Sequence, residues 1–117
     1  MKNTIELTKT IHIDRWGKFF DEFSERNRGR YISIEIVSPE FGDEELIQNA
    51  PLMGMVYDPP HKGNDLVIET GRDEVSYAHT VDSPIEVSTG QNENGETVAI
   101  WINDATGTKT LIKLPAN

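Results

Sequence analysis

At 117 residues and 13.2 kDa the chain has room for one domain, residues 1–117; folding at this size hides roughly two-thirds of the surface the extended chain exposes, enough for a core without staples. There is no cysteine, which excludes disulfide frameworks, thiol nucleophiles, zinc ribbons and iron–sulfur centres. With 20 acidic against 11 basic residues the formal charge is −9, so direct binding to nucleic acid or to an anionic membrane is disfavoured.

In chain order, Ile5, Leu7, Ile11 and Ile13 alternate with polar residues and predict an extended N-terminal segment ended by Asp14. No secretory signal or apolar transmembrane run is present, so a soluble, cytoplasmic protein is expected. Trp16, Phe19, Phe20 and Phe23 stand at i, i+3, i+4 and i+7, which places four aromatics on one stripe of a helix. That helix is expected from about Arg15 to Asn27, with Asp14 as N-cap and Gly29 as the residue that ends it.

Ile32, Ile34 and Ile36 then alternate with polar positions in a strand stopped by Ser38-Pro39. Residues 40–49 read as an acidic connection, because Gly42 and the bounding prolines argue against a longer element. Strands follow at about 52–57, 65–70, 75–81, 85–89, 96–103 and 108–114. Asn94-Gly95 predicts a two-residue type I′ hairpin, and Asp104 to Gly107 a type I turn closed by a glycine bulge. Short strands with frequent turns pair antiparallel. The expected class is α+β, with one N-terminal amphipathic helix packed on a bent antiparallel sheet or small open β-barrel.

Candidate site residues are few. Asp58, His61 and Asp65 cluster around a loop with two prolines; they offer donors for a divalent ion, or simply build a surface turn. His79 shares a strand face with Tyr77 and Val81 and reads either as a half-buried histidine bonded to the backbone or as part of a ligand site with His61. No glycine-flanked serine elbow, phosphate-binding loop or dinucleotide turn occurs, so no catalytic residue is assigned and no cofactor is expected. Arg26, Arg28 and Arg30 concentrate positive charge at the helix C-terminus, against the negative end of its dipole or toward an anionic partner. Trp101 lies opposite Val98, Ile100 and Ile102 on its strand, so either that face is covered too or Trp101 marks a contact surface.

The pattern Trp16-x-x-Phe19-Phe20-Asp21-x-Phe23-Ser24-x-x-Asn27-x-Gly29 resembles a family of small bacterial proteins of unknown function. The resemblance continues through Pro51-Leu52-x-Gly54, Gly71-Arg72, His79-x-Val81-x-x-Pro84 and Gly107-Thr108-x-Thr110-Leu111. It implies a stand-alone bacterial domain and carries no assigned activity, cofactor or functional residue. From the residues themselves, the leading expectation is a non-catalytic binding or adaptor protein whose acidic surface meets a basic protein partner. The alternative is a small enzyme or metal- or ligand-binding protein using a His/Asp site. Homodimerisation through an edge strand is a further expectation.

Overall fold

The computed structural model describes residues 4–115. Its elements are β1 (Leu7–Ile11), α1 (Trp16–Asn27), β2 (Tyr31–Ser38), β3 (Gly42–Asp58), β4 (Asp65–Thr70), β5 (Tyr77–Asp82), β6 (Pro84–Gln91), β7 (Thr97–Asp104) and β8 (Lys109–Lys113). All eight strands join one antiparallel sheet in the order β1-β6-β7-β8-β2-β3-β4-β5. The fold is α+β, as expected, and the sheet is open, with β1 and β5 at its edges.

The bend comes from β3. Its first half pairs with β2, from Gly42 to Pro51, and its second half pairs with β4, from Leu52 to Asp58. Irregular register on both sides of the changeover, together with Asn49 at φ 51°, twists the strand so that it serves both halves. The two halves curve toward one another. The Ala105 amide donates to the Ser83 carbonyl at 3.0 Å, one step beyond the Pro84–Asp104 pair, and so extends the β6–β7 ladder to the corner where β5 turns into β6.

Inner-face side chains of both halves meet in one core containing Ile34, Leu52, Leu66, Ile68, Ile100, Ile102 and Ile112. α1 packs on β3 and adds Trp16, Phe20 and Phe23 to that core, with Phe19 half-buried at its margin. Trp16 meets Tyr57 edge-on at 5.5 Å between ring centroids, and its indole N–H donates to the Ile11 carbonyl at 2.9 Å. Trp16 and Phe20 are both fully buried, and each such side chain stabilises a fold by roughly 1.5–3 kcal/mol. The aromatic stripe is therefore the anchor of the helix.

Three local expectations are corrected. Residues 40–49 form most of the first half of β3 instead of a connection. Gly42, at φ 72°, makes the turn out of β2, and the acids that follow face water, so their polarity does not oppose a half-exposed strand. Asp14 does not cap α1. A short 3₁₀ turn, Ile13–Arg15, precedes the helix, and it is the His12 ring nitrogen that accepts from the Asp14 amide at 3.2 Å. The β6–β7 hairpin is also wider than a type I′ turn. Asn94 is outside the left-handed region, Gly95 takes φ 80°, and the Asn92 side chain accepts from the amides of Asn94 and Glu96, both at 3.0 Å. The β7–β8 hairpin matches its expectation and repeats this design. The Asp104 carboxylate accepts from Thr106 and Thr108, and Gly107 supplies φ 88°.

Candidate functional site

The structure separates the histidines from the aspartates. Asp58, Asp65 and Asp82 stand in direct register across β3, β4 and β5, a lateral row of three carboxylates. His61 projects into water from a 3₁₀ turn, Pro60–Lys62, between β3 and β4. His79 is paired with Ile68 on the inner face, three residues along β5 from Asp82. Among the described residues no three His, Asp or Glu side chains are grouped so as to hold a metal ion.

His79 instead bridges the two sheet halves. Its Nε2 lies 3.4 Å from the hydroxyl of Thr110, a fully buried residue of β8. Burial lowers the imidazole pKa below its ordinary 6.5, with Asp104 opposing the shift. His79 is half-buried, as one expectation had it, but its contact is with a side-chain hydroxyl and not with the backbone.

The three arginines diverge. Arg30 ties the helix end to the C-terminal segment, donating to Asn27 Oδ1 at 3.0 Å and to the Pro115 carbonyl at 2.6 Å. Burial lowers its pKa, while Glu96 acts to raise it. Arg26 is exposed and lines, with Arg30, Glu22 and Glu96, a groove of ≈ 380 Å³ between α1 and the β6–β7 hairpin. Arg28 points to the other side of the chain and donates from Nε to the Met53 carbonyl at 3.2 Å. Trp101 is half-buried on the outer face. Its ring lies over Gly90, where an added Cβ would stand 2.9 Å from the ring edge, so the glycine is the seat that lets the indole lie flat on the sheet.

The most developed surface feature lies where the sequence promised only a connection. Between Tyr31 and His61 there is no Lys or Arg, and β2 and β3 project as an acidic hairpin. Glu40, Asp43, Glu44 and Glu45 are exposed, and Phe41 at the tip is 80 % exposed. The hairpin tip faces the β7–β8 turn across a groove of ≈ 550 Å³, walled by Ile36, Pro39, Phe41, Thr106 and Thr108 and edged by Glu40 and Glu44. Among the described residues no strand pairs with the outer edge of β3 from 42 to 50. The signal available in sequence was the exposed-apolar tip Phe41-Gly42 between acids; it was masked by reading the glycine as a break.

A one-helix cap on an eight-stranded, strongly bent antiparallel sheet defines the structural class. The chain belongs to the family of unknown function DUF5335, which it matches over residues 7–117. It is 30% identical over 107 residues to an uncharacterized protein of Aquifex aeolicus (strain VF5), covering 92% of this chain and 91% of that one. No solved structure matches the chain. No helix among the described residues is long and apolar enough to cross a membrane.

Proposed function

We propose that the protein is a non-catalytic binding module that docks a basic segment of a protein partner on the β2–β3 hairpin. The observation that carries this reading is the pairing of an apolar groove with an uncompensated acidic rim: Phe41 and Ile36 beside Glu40 and Glu44, with no cation in that stretch of chain. An apolar side chain of the partner fills the groove, and its Lys or Arg residues meet the glutamates. The free edge of β3 supplies backbone donors and acceptors for an extended segment. The acids Asp43, Glu44 and Glu45 also decide which strand can use that edge. A second copy of the hairpin would bring like charges together, whereas a basic segment is attracted.

The test is a titration with a Lys- and Arg-rich peptide carrying one Leu, followed by amide NMR shifts. Shifts should centre on residues 36–48, and association should slow steeply with added salt. Replacing both Glu40 and Glu44 by Lys should weaken binding by at least about tenfold, and Phe41→Ala should weaken it with the salt dependence intact. Shifts scattered over the surface, or a Glu40→Lys/Glu44→Lys protein that binds as tightly as the wild type, would sink the proposal.

A further inference from the structure

On the opposite side from the groove of Arg26 and Arg30, the end of α1 and the β4–β5 connection enclose a hollow of ≈ 260 Å³ that contains Arg28, Tyr31, Leu52 and Arg72, with Gly29 and Gly71 in its walls. In a chain of net charge −9 this hollow has two guanidinium groups and no carboxylate among its lining residues. Among the described residues neither arginine has an ion-pair partner. Asp73, next to Arg72 in the chain, and Glu74 beyond it form no ion pair with its guanidinium.

Both guanidinium groups are held in place by the groups they do bond. Arg28 uses Nε on the Met53 carbonyl, and Arg72 uses one terminal nitrogen on the Tyr31 hydroxyl at 2.7 Å. Each retains further N–H donors. Because Tyr31 accepts from Arg72, its own phenolic proton is left to donate. Arg72 is presented by a strained turn. Gly71 sits at φ 149° with its amide on the Pro51 carbonyl, and an added Cβ there would fall 2.0 Å from the Glu74 carbonyl oxygen, a position only glycine can occupy.

We infer that this hollow is an anion site for a phosphoryl group. Two arginines match a dianion in charge, and their planar forks together with the Tyr31 hydroxyl offer more donors than a single carboxylate can use. The volume accommodates the phosphoryl group with a small substituent lying against Leu52. The site is independent of the acidic hairpin and stands or falls without it.

The experiment is a titration of the whole protein with inorganic phosphate, and separately with acetate, at constant ionic strength, observing arginine Nε–H and backbone amide resonances. Phosphate should give saturable shifts of Arg28 and Arg72 at concentrations below about 50 mM and bind at least about tenfold tighter than acetate. Arg72→Gln and Arg28→Gln should each weaken it by about tenfold or more, and Tyr31→Phe by a few-fold. Arg28 and Arg72 are both exposed, so each variant reports even where the other perturbs folding. Non-saturating shifts, equal affinity for acetate, or phosphate binding unchanged in the folded Arg28→Gln protein would each overturn the assignment.

Discussion

A single hydroxyl joins the helix to the sheet: Ser24 Oγ donates to the Met55 carbonyl at 3.2 Å and accepts from the Met55 amide at 2.8 Å. Met55 therefore satisfies both of its backbone groups on one side chain, at a buried point where β3 runs under α1. Ser24→Ala removes the hydroxyl and strands a buried donor and a buried acceptor. The expected loss of stability is about 2–4 kcal/mol, each orphaned group costing roughly 1–3. Urea unfolding checks it; a loss well below about 1 kcal/mol would mean that α1 shifts and water takes over the bonds.

His79 predicts a pH dependence whose sign follows from its burial. Its folded pKa lies below 6.5 because the charged ring is disfavoured between the sheet halves, despite the pull of Asp104. Below pH 6.5 the unfolded chain therefore binds the proton first, so the stability that neutral His79 provides is complete above that pH and falls as pH drops toward the folded pKa. Urea midpoints measured from pH 7.5 down to pH 5 should decline more steeply for the wild type than for His79→Gln, which cannot titrate. Parallel declines would show that the carboxylates alone govern the acid limb.

These two relationships mark where the sequence was readable and where it was not. The aromatic stripe of α1 and the alternating isoleucines of β2 were legible because each buries one face, and burial of one face imposes a period. Ser24 stands in the family-like pattern, but its role was not legible. A serine inside a helix carries no periodic signal, and only the crossing of β3 beneath it gives the hydroxyl its partners. β3 was half lost for a related reason: Asp43, Glu44 and Glu45 lie on an exposed hairpin where hydrophobic alternation has nothing to report, while Gly42 and Pro51 look like breaks. Gly42 is the turn, and Pro51 falls at the changeover from β2 to β4, where the strand exchanges neighbours. Of the candidate site residues, the pairing of Asp58 with Asp65 follows from the hairpin they flank, but the separation of His61 from His79 needed the register of three strands.

That register carries the last prediction. Asp58, Asp65 and Asp82 lie directly opposite one another, and one carboxylate oxygen of Asp65, the middle member, is buried without a hydrogen-bond partner. Like charges placed opposite in a sheet repel, and an unpartnered buried oxygen adds a desolvation cost. Asp65→Asn keeps the shape, removes the central charge and gives the row a donor facing its two neighbours. The expected outcome is a gain of about 0.5–1 kcal/mol at neutral pH, read as a higher urea midpoint with an unchanged slope. A loss of stability at neutral pH would show that the aspartate row is compensated in the folded protein, and that its charge favours the native register of β3, β4 and β5.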